Sequence, residues 1–462
     1  MAGYTDMVET GVSWIPKLPE HWKLRKIDAL FTERKTKVSD TDYAPLSVTK
    51  KGILPQLEHA AKSNDGDNRK LVKAGDFVIN SRSDRKGSCG VSSLDGSVSL
   101  INLVLTPRSE LNSEFIHYLL RNYRFSEEYY RNGRGIVADL WTTRYSEMRT
   151  IQLPVPPRAE QDQIVRFLDW KVSEINKLIG IRRREIRELE ELKKSTINRA
   201  VTTGVHSETT LKDSGIKWIG KILNSWEVLK FKTIADSISK GSGITKDDVI
   251  ADGNIQCIRY GEIYSKYDYG FEETSTRTNL ERVKSPKFIS YGDILFAGTG
   301  ELVDEIGKNI VYLGKDKCLA GGDIIVASHS QDAKFLNYAL NSTYAQNQKS
   351  FGKFKLKVVH IKPGEIGDIL VALPPLAEQR EIAAYLDSFC AGIDNAIQLS
   401  EEKIETLKEL KSVTISDVVT GKVDVRNIPI PEYDHVNETA DDADCEEDEE
   451  SDTEDFDGEE DA

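Results

Sequence analysis

Arginines and lysines collect on short Gly- and Ser-containing stretches of this chain. Arg82, Arg85 and Lys86 stand in Asn80-Ser81-Arg82-Ser83-Asp84-Arg85-Lys86-Gly87, just after a β-type run. Arg131, Arg134 and Arg144 follow a helical stretch, with Trp141 among them. Arg259 precedes Tyr260 and Lys266, and Lys353, Lys355 and Lys357 alternate around Phe354. Guanidinium and ammonium groups neutralise phosphates, and arginine can read a guanine edge through two hydrogen bonds. Small neighbours let such side chains reach into a groove. Taken singly, each reads as an ordinary solvated cation. Placed on corresponding loops of two repeats, they form a candidate DNA-contact set.

No catalytic constellation accompanies them. The sequence holds no Gly-x-x-x-x-Gly-Lys-Ser/Thr loop, no His-Glu-x-x-His pair and no Gly-x-Ser-x-Gly turn. The seven histidines are dispersed, with no pair at metal-ligand spacing, so no catalytic and no metal residue is assigned. Phe296-Ala297-Gly298-Thr299-Gly300 follows a strand and has the glycine pattern that cradles S-adenosylmethionine in methyltransferases. The Asn/Asp-Pro-Pro-Tyr/Phe segment expected beside it is missing, and the matching stretch Ile79–Arg82 lacks glycines. A turn that brings backbone close to DNA is the preferred reading.

The positioning elements come twice. Pro156-Pro157-Arg158-Ala159-Glu160-Gln161 returns 218 positions later as Pro374-Pro375-Leu376-Ala377-Glu378-Gln379. Trp14 and Trp22 return as Trp218 and Trp226, 204 positions on, and the Gly75-Asp76 turn returns as Gly292-Asp293, 217 on. The second globular segment has therefore gained about a dozen residues between its entry and that turn. Each segment mixes short strands with one expected helix, Ser113 to Tyr130 and Ala333 to Gln348. Behind each Pro-Pro pair a helical pattern of about 45 residues carries an apolar heptad seam: Ile175, Ile179, Ile186 and Leu189, then Ile393, Ile397, Ile404 and Leu407. Gly204 and Gly421 mark the ends. An exposed helix with a narrow apolar seam needs a partner, and the available partner is its own copy, lying antiparallel. The alternative is that each helix packs on its own domain.

The expected fold is α+β: two repeated α/β domains separated by two long antiparallel coiled-coil helices, with pseudo-twofold symmetry. The boundaries are 11–157 and 215–375 for the domains, 158–204 and 376–421 for the helices, and 434–462 for an acidic tail. That tail holds 17 acidic residues and neither Lys nor Arg, which accounts for the net charge of −14. Without it, 62 basic residues face 59 acidic ones. Its composition reads as disordered, serving solubility or mimicking DNA against the chain's own basic surface. Five scattered cysteines fit a reducing cytoplasm and argue against a zinc site. No basic start followed by an apolar stretch suggests secretion, and no run suits a bilayer.

The doubled Pro-Pro-x-Ala-Glu-Gln motif followed by Ile164 and Ile382, the tryptophan pairs and the paired long helices resemble the specificity subunit of type I restriction–modification enzymes. The resemblance covers about residues 11 to 425; the acidic tail departs from it. It implies a non-catalytic subunit whose two α/β domains are target-recognition domains, each reading one half of a bipartite double-stranded DNA target. It implies that the helices set the spacer and dock two methyltransferase subunits carrying S-adenosylmethionine, with motor-nuclease subunits joining to cut. No cofactor is expected in this chain itself. The resemblance supplies no numbered base contacts. The readings left open beside it are an adenine-N6 DNA methyltransferase with its own cofactor site and a coiled-coil scaffold without a DNA role.

Overall fold

A computed structural model describes residues 3–56, 66–82, 85–135, 141–206, 210–300, 302–353 and 358–437. It divides into two units, one formed by residues 1–183 with 401 onward, the other by residues 184–400. Both mix helix and strand, so the fold is α+β.

In the first unit the central sheet runs Cys89–Val91, Phe77–Asn80, Asn102–Pro107, Phe31–Glu33, antiparallel throughout. Every residue of Phe77–Asn80 is buried, as suits a strand flanked on both edges. A three-stranded sheet, Gly96–Val98, Arg69–Val72 and Lys37–Val38, lies in the same unit. In the second unit five strands follow the order Ala235–Lys240, Ile324–His329, Ile294–Ala297, Asn309–Tyr312, Gly270–Phe271. A four-stranded sheet, Arg277–Thr278, Ile255–Ile258, Cys318–Ala320 and Phe288–Ile289, lies in the same unit, and its Ile258 shares a core with Ile263 and with Phe271 and Tyr312 of the five-stranded sheet.

The Gly-Asp turns are built alike. Gly75 and Gly292 have φ of 92° and 90°, a region L-residues avoid. Asp76 accepts a hydrogen bond from the Lys73 amide at 2.9 Å, and Asp293 accepts one from the Ser290 amide at 2.8 Å.

The expected single helix in each segment is two. Ser113–Arg121 and Tyr123–Arg131 are separated by Asn122 in an extended conformation, whose side chain caps the second helix at the Phe125 amide. Ala333–Asn341 and Thr343–Ser350 break at extended Ser342, whose hydroxyl donates back to the Ala339 carbonyl and does not cap the second helix. Asn and Ser prefer caps to helix interiors because their side chains satisfy the free amides of a first turn, an effect of roughly 1 kcal/mol. The apolar pattern runs on across both breaks, which is why periodicity alone reads one helix.

The long helices span Arg158–Thr203 and Leu376–Val419, 46 and 44 residues, or roughly 65–70 Å each. They pair antiparallel inside each unit. In the first, Ile164, Phe167 and Leu168 share a core with Val418 and Val419, and the Lys411 ammonium donates to Asn176 at 3.4 Å. In the second, Ile197, Ala200 and Val201 share a core with Ile382, Leu386 and Cys390, and Lys193 pairs with Asp394. Lys193 and Lys411 are 218 positions apart, as are Asn176 and Asp394, so the repeat extends to this polar contact. Along the seam Ile175, Ile179, Ile393 and Ile404 are buried, while Ile186, Leu189, Ile397 and Leu407 are half-buried.

After Gly421 the chain does not leave the first unit. Val425, Ile428 and Ile430 pack on its core. Gln163 donates to the Val425 and Ile428 carbonyls at 3.1 and 2.9 Å. Ser173 donates to the Asp434 carbonyl at 2.9 Å and accepts from the Val436 amide at 2.7 Å, and Asn176 donates to the Val436 carbonyl at 3.0 Å. The tail boundary expected at Asp434 thus falls inside an ordered strap.

Candidate nucleic-acid interface

The first unit brings three loop segments together. Thr142 bridges Arg82 on one side and Arg134 on the other, and the Thr143 amide donates to the Ser81 carbonyl at 2.9 Å. The Trp141 indole donates to the Tyr130 carbonyl at 2.8 Å, and the Lys86 ammonium sits 4.9 Å from the Tyr130 ring centre. Gly133 makes this closure possible: a Cβ there would stand 2.3 Å from the Trp141 indole nitrogen. Arg82, Lys86, Arg134 and Arg144 are exposed. Lys86 pairs with Glu127 at 2.6 Å, and Arg134 lies 3.7 Å from Glu147. Both are surface pairs that cost little to exchange for a phosphate. Arg85 is half-buried and engaged with neighbours. Arg131 departs from the group: its guanidinium is held by Glu128 and Ser13.

Arg144 belongs to an adjoining groove that the sequence did not reveal. Lys35, Lys70 and Arg149 line it, with Leu100 and Ile101 exposed at its edge. Lys70 donates to the Asn102 carbonyl at 2.7 Å, and burial pushes its ammonium pKa down. Lys35 sits in the loop after Phe31–Glu33 and Lys70 on the strand Arg69–Val72, 35 positions on, so clustering along the chain could not find them.

The second unit treats its cations differently. Lys266 pairs with buried Glu262 at 2.7 Å, and that hydrogen bond raises the lysine's pKa. Burial pulls the Glu262 carboxyl upward, but Lys266, Thr276 and the Arg259 amide outweigh it and hold it below the usual range. Arg259 is half-buried, its amide spent on Glu262 at 3.0 Å. Lys353 donates to Glu365 at 2.8 Å and to the His360 carbonyl at 2.7 Å. A phosphate contact by Lys266 or Lys353 competes with those bonds. Lys355 and Lys357 lie outside the described residues.

The glycines of Phe296–Gly300 serve internal packing. A Cβ on Gly298 would meet the Asp323 carbonyl at 2.7 Å, and one on Gly300 the Tyr264 hydroxyl at 2.9 Å. Phe296 and Ala297 are fully buried. Close backbone approach explains this run without a bound nucleoside.

Residues 224–409 match the family model described as the type I restriction modification DNA specificity domain. The chain is 28% identical over 290 residues to the type I restriction enzyme MjaVIII specificity subunit of Methanocaldococcus jannaschii, covering 60% of this chain and 63% of that one. It therefore spans less than two thirds of that relative's length. It is 23% identical over 443 residues to the putative MjaX specificity subunit of the same organism, covering 89% of this chain and 96% of the relative. A solved chain from work on complex assembly and conformational transition of the type I R-M system superposes with a TM-score of 0.65 at 17% identity, over 88% of this chain and 99% of that one, a likeness of fold. With the doubled motif, the paired helices and these matches together, the chain is similar to the specificity subunits of type I restriction–modification enzymes.

Proposed function

We propose that this chain is the non-catalytic, sequence-specific DNA-recognition subunit of a type I restriction–modification complex. Each unit reads one half of a bipartite target in double-stranded DNA. The long helices set the spacer length and dock two methyltransferase subunits, which carry the S-adenosylmethionine. Motor-nuclease subunits complete the cutting assembly, in the cytoplasm. The observation that supports this best is the repeat itself. Each unit takes the start of one long helix and the end of the other and adds its own recognition loops, and those loops differ in size and charge. In the first unit Arg82, Lys86, Arg134 and Arg144 are available for phosphate and base-edge contacts; Arg259 and Lys266 are the corresponding candidates in the second, where Lys353 is bonded to Glu365 and His360.

Mapping methylated adenines in DNA treated with the reconstituted complex tests the reading. Two fixed half-sites separated by a spacer of constant length are expected. A single contiguous site would contradict it. Crosslinking of radiolabelled S-adenosylmethionine to this chain, rather than to its partners, would favour the methyltransferase reading instead.

A further inference from the structure

The strap ends in a basic cleft. A depression of about 650 Å³ in the first unit is lined by Lys50, Lys86, Arg121, Lys408 and Lys411 and also by Ser173, Asn176 and Asn437. Its carboxylates are Glu114 and Asp169, so cations prevail among the described lining residues. His117 adds no charge, since burial, then Arg121, pushes its pKa down to about 4. Lys86 and Lys408 hold surface partners, Glu127 and Glu405, at 2.6 and 2.9 Å. Such pairs exchange cheaply for other carboxylates.

We propose that this cleft is the docking site of the chain's own acidic segment, residues 438–462. That segment holds 16 Asp and Glu residues and neither Lys nor Arg. Its attachment point is fixed: Ser173 and Asn176 clamp the backbone of Asp434 and Val436, and Asn437 lines the cleft. Twenty-five residues begin there, enough to cross the cleft many times over at about 3.3 Å per extended residue. The clamp is not a general feature of the repeat. In place of Gln163, Ser173 and Asn176 the second helix carries Glu381, Ala391 and Asp394, and in place of Lys408 the first helix carries Glu190. Gln163, Ser173 and Asn176, which seat the strap, and Lys408 in the cleft are thus positions at which the two copies diverge, while Lys411 matches Lys193. Tethering supplies the rest, because a segment attached at the site has an effective concentration in the millimolar range. Lys86 also belongs to the Asn80–Gly87 loop, so on the DNA reading above an occupied cleft shields part of the first unit's contact set.

The test uses a fluorescent peptide of residues 438–462, the full chain, and a chain ending at Asn437, which keeps every described residue. The shortened chain is expected to bind the peptide, with affinity falling as salt rises. The full chain should bind it at least about tenfold more weakly, its cleft being occupied in cis. Lys50→Ala/Lys408→Ala in the shortened chain should weaken binding about tenfold, and Lys50→Arg/Lys408→Arg should restore it. Equal binding by full and shortened chains, or undiminished binding by the alanine pair, overturns the proposal. The readout contains no DNA, so failure here is separate from failure of the recognition reading.

Discussion

The indole of Trp22 donates to the Glu160 carboxylate at 3.0 Å, and Trp226 donates to Glu378 at the same distance. These are the second tryptophan of each pair and the glutamate of each Pro-Pro-x-Ala-Glu-Gln motif, so two separate sequence signatures are one physical lock. Each ring also meets the end of the other long helix: Gly421 would place a Cβ 3.1 Å from Trp22, and Gly204 one 3.7 Å from Trp226. One tryptophan therefore joins the beginning of one helix to the end of the other within its unit. Gln161 and Gln379 add a parallel clamp, accepting from the amides of Asn112 and Asp332 at 2.8 and 3.0 Å.

Trp226→Phe is expected to cost roughly 2 kcal/mol, the loss of a hydrogen bond to a charged group plus part of a buried ring. Trp22→Phe should cost less, because Glu160 keeps Tyr4 and His21. Hydrogen exchange is the measurement. Protection should fall at both helix ends beside the altered ring; a loss confined to one end contradicts the lock.

Two glycines should respond in opposite directions. Gly180 lies inside the first long helix with nothing near its missing Cβ, so Gly180→Ala should stabilise by roughly 0.5–1 kcal/mol. Gly421 has φ of 74° and would drive a Cβ to 2.5 Å from the Pro19 ring. Gly421→Ala should destabilise by more than Gly180→Ala gains, read from denaturant midpoints.

Lys349 is buried in the second unit, donating to the Gly307 carbonyl at 2.7 Å and to Asn309 at 2.9 Å, and burial pushes its pKa down to about 7. The unfolded chain holds that proton up to its ordinary value near 10.5. Between these values the unfolded state binds more protons, so this group makes stability rise as pH increases from about 7. The stability difference between wild type and Lys349→Met should move in the wild type's favour by roughly 2 kcal/mol between about pH 7 and 9. Denaturation at the two pH values checks this; a pH-independent difference refutes it.

Arg144 and Lys353 separate contact from scaffold. Arg144 is exposed beside Lys35, Lys70 and Arg149, so Arg144→Ala should reduce the slope of log affinity against log salt by about 1. Lys353 is bonded to Glu365 and His360, so Lys353→Ala should lower the melting temperature and leave that slope unchanged. The opposite pattern would reverse their roles.

The sequence carried the repeat, the helices and their pairing because each depends on local spacing: the Pro-Pro motif, the heptads, the terminal glycines. It did not carry the breaks at Asn122 and Ser342, where one extended residue interrupts a continuous apolar pattern. Nor did charge along the chain reveal that Lys266 and Lys353 are bonded internally while Lys35 and Lys70 face a groove, since three-dimensional neighbours decide that. The strap was hidden for a similar reason. Its backbone is held by Gln163, Ser173 and Asn176, more than 250 residues earlier, and its own composition merges into the acidic segment.

The most direct test is a matched insertion of one heptad in both long helices, after Leu189 and after Ile397, which keeps the seam and the antiparallel pairing in register. Seven residues add roughly 10 Å of helix, about three base pairs of duplex. Mapping of methylated adenines should return both half-sites unchanged with the spacer lengthened by about three base pairs. An altered half-site, or an unaltered spacer in an active complex, would contradict the account.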